Sequence, residues 1–225
     1  MHGQYDFDVE PVDLLLIGGD IVPLSIQFRI DKCNNWFKKI FIPWCEKQPA
    51  EKVIVVGGNH DKVLEKDPTT FRDLIKGTKI IYLHCEEYDF KGFKIFGSPL
   101  CKKFYDWSFM YDYDYQDRLY ERYLKALDAY GEKVDILLTH DAPYGTSDII
   151  MQEDCPWATG ENIGNRSLTS FVEKLQPTVM FHGHLHSTNH ECEKLGKTDV
   201  YNVSLLNEDY KMAYKPLYVE LEKDG

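Results

Sequence analysis

The amino-acid sequence predicts an α/β protein, on three observations. Short apolar runs end repeatedly in polar tips: LLLIGGD at 14–20, KVIVVGGNHD at 52–61, VDILLTHDAP at 134–143 and PTVMFHGHLH at 177–186. Between the runs lie segments with apolar residues at helical spacing. Strand, tip and helix in repeated alternation is the pattern of stacked α/β layers, whose chemistry collects beyond the carboxyl ends of the strands.

Taken in chain order, 14–20 is a buried strand closed by a Gly-Gly-Asp turn. From Ile26 to about Lys47, Ile30, Cys33, Trp36, Phe37 and Ile40 recur at helical spacing, and Pro43 is expected to end or kink that helix. Residues 52–61 repeat the first design. Asp67 before Pro68, with Gly77 beyond, marks a helix over 67–77. Residues 79–84 and 93–99 read as strands, the aromatic and acidic stretch 104–115 as a loop, and 115–131 as an amphipathic helix. Residues 134–143 form a third strand with a polar tip. A helix over 167–176 takes Asn165 or Ser167 as its cap. Strands are expected over 199–207 and 217–222. No repeat, low-complexity segment or linker interrupts the pattern, so 1–225 reads as one domain.

The 225 residues are 43% hydrophobic, enough for a sizeable core. A net charge of −11 repels phosphate backbones and disfavours a nucleic-acid polymer as partner. An anionic small molecule remains open if a metal supplies positive charge. The six cysteines are scattered, with no CxxC pair, so reduced thiols are expected. No stretch approaches the ~18 apolar residues of a membrane helix. The polar, acidic start MHGQYDFDVE is unlike a signal peptide, which makes the cytoplasm the expected compartment.

The tips differ in what they reveal. GGD at 18–20 is compatible with an ordinary turn. GGNHD at 57–61 sets Asn59, His60 and Asp61 together, too polar to be buried without a purpose. HGHLH at 182–186 spends three of the eight histidines within five residues. His184 and His186 can converge on one side of the chain, and metal ligation would satisfy nitrogens that apolar packing leaves unpaired. His182 can simply finish its strand. Asp20, Asn59, His140, His184 and His186 together mix imidazole and oxygen ligands, suiting Mn, Fe, Ni or Zn. They exceed what one catalytic ion needs. Two ions about 3.5–4 Å apart, bridged by a carboxylate, would use them all and would acidify a shared water.

GGD, GGNHD, THDAP and GHLH, in that order, resemble the calcineurin-like metallophosphoesterase superfamily, across residues 2 to 186. The resemblance is closer to its small single-domain metallophosphodiesterases. In those, a segment like FKGFKIFGSPLCKKFYDWSF (90–109) follows the GNH tip and one like THDAPYGTSD (139–148) precedes the final histidines. The resemblance implies a four-layer αββα β-sandwich of two mixed sheets flanked by helices. It implies a bridging Asp20, a second site completed by Asn59, His140 and His184, and a first site holding His186. It also implies that His60 stays off the metal and protonates the leaving oxygen, with Asp61 orienting it. Two divalent ions, Mn foremost, are the implied cofactors.

The family opens with Asp-x-His. His2 matches the histidine, and the matching aspartate would fall immediately before Met1. The expectation is that the natural chain extends upstream to include it.

Three functions follow. The first is hydrolysis of a small phosphate diester, with Phe104, Tyr105, Trp107 and Phe109 as a rim able to stack on a nucleobase. The second is a phosphomonoesterase or phosphoprotein phosphatase on the same core. The third is a weakened metal-binding scaffold, supported only by the absence of the first-motif aspartate from this sequence. Asp148 is a candidate hydrogen-bond partner of a ligand histidine. Tyr144, Asp154 and Trp157 are candidates for shaping the cleft.

Overall fold

A computed structural model describes residues 1–151 and 160–223. β1 (Val12–Ile17), β2 (Ala50–Val55) and β3 (Ile80–Tyr82) form a parallel three-stranded sheet in that order. A second, mixed sheet is built from β4 (Glu86–Phe90), β5 (Phe93–Ser98), β8 (Ile136–Thr139), β9 (Val179–His182), β10 (Glu193–Leu195) and β11 (Thr198–Asn202). Its spatial order is β10-β11-β9-β8-β5-β4. The inner four are mutually parallel, and β4 and β10 close the two ends antiparallel. β6 (Cys101–Lys102) and β7 (Met110–Tyr111) make a separate two-stranded ribbon.

The unbroken apolar runs follow from burial on both strand faces. In β2, Val53 and Val55 pack against the first helices, while Ile54 and the following Val56 join the layer between the sheets. In the second sheet Phe96, Leu137, Met180 and Val200 face α5 (Tyr113–Tyr130) and α6 (Arg166–Leu175). Their neighbours Ile95, Ile136, Leu138, Val179 and Phe181 face inward to the first sheet. Helix, sheet, sheet and helix are thus four layers with three cores.

The helix expected over 26–47 is α1 (Ile30–Trp36), a π-helical turn at Phe37–Phe41 and α2 (Ile42–Lys47). Pro43 does not end it. The wide turn comes just before Pro43, which sits in the first turn of α2, where a missing N–H costs little. α3 (Lys62–Lys66) was not expected, and α4 (Pro68–Leu74) starts on its proline as read. Of the two candidate caps, Asn165 takes the role. Its Oδ1 accepts from the N–H groups of Ser167 at 3.1 Å and Leu168 at 3.3 Å.

Three expectations change. The stretch 104–115 is not all loop, since it contains β7 and the start of α5. β4 was missed because Glu86, Glu87 and Asp89 mask its alternation, as suits an edge strand. Its hairpin turns on Lys91 and Gly92, both at positive φ (48° and 85°), the left-handed pair of a type I′ turn. Residues 217–222 form no strand, and the strand expected over 199–207 stops at Asn202. Strand propensity needs a partner edge in register. The final segment is instead tied by side chains: Tyr218 Oη accepts from the Glu10 N–H at 2.8 Å, and Leu221 packs against the layer between the sheets.

The five described cysteines are free thiols, and Cys155 lies outside the described residues. Among the described residues no helix is long and apolar enough to cross a membrane.

Candidate metal centre

The four polar tips meet at the carboxyl ends of β1, β2, β8 and β9. Close backbone approach demands glycine there. A methyl group on Gly58 would collide with the backbone nitrogen and Oδ1 of Asp20, and one on Gly19 would sit 2.5 Å from His140 Nδ1. Asp20 and His184 themselves adopt left-handed backbone, φ 51° and 68°, a strained conformation that aims their side chains inward.

Asp20 stands at the centre. Its Oδ2 lies 3.3 Å from His2 Nε2 and 3.4 Å from His140 Nε2. Its Oδ1 accepts the His60 backbone N–H at 2.9 Å. Two groups of potential ligand atoms result, each mutually within 4.8 Å: His2, Asp20 and His60, and Asp20, His140 and His184. Asp20 belongs to both. Asn59 joins the second group, its Oδ1 2.9 Å from His140 Nε2. His186 lies beside the first, its ring 5.8 Å from that of His2, with Nδ1 bonded to the Asn207 carbonyl at 3.0 Å.

The donor set fits a cation. His140 Nδ1 donates to the Gly18 carbonyl at 2.6 Å, which turns Nε2 toward the oxygens of Asn59 and Asp20. Three electron-pair donors then converge in a buried space, and only a proton or a metal ion reconciles them. Burial opposes charge on His140, but the Asp20 carboxylate and the Gly18 carbonyl prevail and raise its pKa. Burial also works against the Asp20 carboxylate, yet His140 and His2 hold it well below the usual range. Burial and then the charge on His140 push His184 well down, leaving its imidazole neutral and able to ligate.

Asp61 does not orient His60. Its carboxylate accepts from the N–H groups of Ile21 (2.8 Å), Val22 (2.9 Å) and Gly58 (2.9 Å), tying the first tip to the second. Burial, with Asp20 second, raises its pKa to about 6 against the pull of those donors. The partner of His60 is Gln27, whose Oε1 lies 2.6 Å from Nδ1. Gln27 was not singled out from sequence, because it stands 33 positions before His60 with no motif around it.

Of the aromatic rim, Trp107 packs on His60 (centroids 4.5 Å apart) and Phe28 (6.0 Å), and Phe104 approaches His184 at 6.0 Å. Tyr105 is 70% exposed and Phe104 46%. Phe109 is not part of the rim; it is fully buried against Gly57 and His84. Tyr210, unmarked by any motif, also borders the site, 4.8 Å from His2 and 5.4 Å from His186 between ring centres. Asp148 holds a loop by accepting the Gly164 N–H at 2.7 Å, and it bonds no ligand histidine. Tyr144 lies under the Arg166 guanidinium, 3.8 Å from ring centre to Cζ. Asp154 and Trp157 lie outside the described residues.

His182 ends β9 fully buried, and burial lowers its pKa to about 4. The unfolded imidazole takes its proton near pH 6.5, the folded one only near 4. The stabilisation is therefore complete above pH 6.5 and is lost as pH falls toward 4. Between pH 7 and 5 this histidine should remove about 2 kcal/mol of stability from the metal-free protein. Urea midpoints at the two pH values should show that loss shrinking in His182→Leu; an unchanged pH dependence would count against it.

Residues 5–188 match the family of calcineurin-like phosphoesterases. Metallophosphoesterase domain-containing protein 1 of Homo sapiens is 27% identical over 93% of this chain and 64% of its own length. UPF0046 protein T07D4.2 of Caenorhabditis elegans is 22% identical over 98% of this chain and 58% of its own. The chain thus spans 58–64% of the length of these relatives. The crystal structure of TT1561 of Thermus thermophilus superposes with a TM-score of 0.58 at 15% identity, over 86% of this chain and 77% of that one, which shows a shared fold. The matched region runs from before β1 to just past His186 and so takes in all four converging tips; the chain belongs to the calcineurin-like phosphoesterase family.

Proposed function

We propose that the protein is a metal-dependent phosphodiesterase acting on a small, nucleotide-like phosphate diester. The observation that carries this reading is a single carboxylate, Asp20, shared by two groups of potential ligands, one of which contains His60, a histidine that buried Gln27 holds at Nδ1. His2, Asp20 and His186 would hold one divalent ion, and Asp20, Asn59, His140 and His184 the other. The mixed imidazole and oxygen set accepts Mn, Fe, Ni or Zn, and Mn is the first candidate. Such a pair, when bound, supplies charge neutralisation at the phosphoryl oxygens and a water acidified enough to attack phosphorus near neutral pH.

The chain's own residues supply the rest. His60 would stay off the ions and give a proton to the departing oxygen. Its Nδ1 is engaged by Gln27, which frees the opposite ring nitrogen for the cleft. Trp107, Phe104 and Tyr210 offer ring faces and edges around the site, which supports a flat aromatic group on the ester. The net charge of −11 favours a small substrate over a nucleic-acid polymer.

Rates with Mn²⁺ on bis(4-nitrophenyl) phosphate and 4-nitrophenyl phosphate test the reading. The diester should be preferred in kcat/KM by about tenfold or more, 1.4 kcal/mol of transition-state discrimination. A reversed preference would make the protein a phosphomonoesterase. Bound ions with no turnover of either ester would leave a metal-binding scaffold.

A further inference from the structure

We infer that Gln27 is the positioning residue of His60: its side-chain oxygen fixes the ring so that Nε2, and not Nδ1, faces the phosphoester. The inference rests on the reading of His60 as proton donor and names what makes that role geometrically possible.

Gln27 lies between the first polar tip and α1, and its side chain is buried, at 8% exposure. Its Oε1 approaches His60 Nδ1 at 2.6 Å, short enough that one atom must donate, and an amide oxygen can only accept. Nδ1 therefore carries a hydrogen, and any proton available for transfer sits on Nε2. Neither nearby carboxylate is free to do this work. Asp61 is saturated by the N–H groups of Ile21, Val22 and Gly58. Asp20 Oδ1 takes the backbone N–H of His60, not its ring.

The packing contacts of the ring are aromatic, and one of its nitrogens also lies within 4.8 Å of an Asp20 oxygen. Trp107 lies 4.5 Å away at 51° and His2 4.9 Å away at 78°, between centroids. They set the tilt of the imidazole but cannot choose between its two flipped orientations, because a ring turned by 180° about χ2 keeps almost the same shape. Only a hydrogen bond to one nitrogen breaks that near-symmetry. Gln27 supplies it with a neutral group, so it adds no net charge beside the ion sites.

The test uses the full chain with two substitutions: Gln27→Met, similar in length but unable to accept the bond, and Gln27→Glu, which can. Two diesters report on protonation of the leaving group: methyl 4-nitrophenyl phosphate, whose leaving group departs readily as an anion, and methyl phenyl phosphate, whose leaving group benefits from a proton. Gln27→Met should lower kcat on the phenyl ester about tenfold or more and on the nitrophenyl ester less than about threefold, with KM little changed. Gln27→Glu should recover the loss to within about threefold, and on a His60→Ala background Gln27→Met should cost nothing further beyond about twofold. Nitrogen-15 spectra of the zinc-loaded protein give a readout independent of turnover. Nδ1 of His60 should be protonated in the unaltered chain and in Gln27→Glu, and should lose that preference in Gln27→Met.

Equal losses on both esters, a Gln27→Met penalty that persists without His60, or a His60 tautomer indifferent to residue 27 would each overturn the inference. If the unaltered protein hydrolyses neither ester, the phosphodiesterase reading fails, while the spectra still decide whether Gln27 sets the ring.

Discussion

Asp20→Asn is expected to strip both proposed ion sites in one change and to lower turnover on the order of 10³-fold or more, beyond the loss typical of removing one stabilising donor. Asparagine is the informative substitute. It tolerates the left-handed backbone at φ 51° and keeps an oxygen to accept the His60 N–H. What it removes is the negative charge that faces His2 on one side and His140 on the other. Without that charge, each ligand group keeps neutral imidazoles and, in the second, an amide oxygen, a weak cage for a divalent cation. Metal content per chain should fall from two ions to fewer than one, with a thermal melt in chelator close to that of the parent. A variant that retains two ions, or retains turnover within tenfold, would remove Asp20 from the centre of the site.

His60→Ala is expected to do the reverse: metal content is kept and kcat falls by about 10²–10⁴-fold, the range of a general acid. The geometry gives the reason for the separation. By distance His60 belongs to the first ligand group, but its Nδ1 is engaged by Gln27 and its backbone N–H by Asp20, so truncating the ring leaves the other members anchored. His140 keeps its bond to Gly18 and His186 its bond to Asn207. If His60→Ala instead releases an ion, the ring is a ligand and not a proton donor. A loss below tenfold with both ions present would leave protonation to another group.

The polar ends of the strands were legible because they break a strong local rule: after an apolar run, GGNHD and HGHLH set side chains that no core accepts without compensation. The alternation of strand faces was equally visible, since Val53 and Ile54 can both be apolar only if both sides are covered. Partners were harder to read. Asp61 follows His60 directly, yet the turn that brings the two strand tips together aims its carboxylate at Ile21, Val22 and Gly58. The residue that reaches the imidazole, Gln27, arrives from another connection of the fold, and nothing in a linear sequence marks such a meeting. Tyr210 reaches the site in the same way, from a turn at Asn207 and beyond, on a left-handed residue at φ 58°. Phe109 shows the converse: its neighbours Phe104 and Tyr105 are exposed, but Phe109 itself fills the space above Gly57. Aromatic composition marks the stretch without telling which rings turn inward.

The carboxylate of Asp61 works as a fastener between two connections, gripping the one after β1 at Ile21 and Val22 and the one after β2 at Gly58. Inactivity after its removal would therefore carry little information about bond cleavage, because the scaffold would have come loose before any reagent arrived.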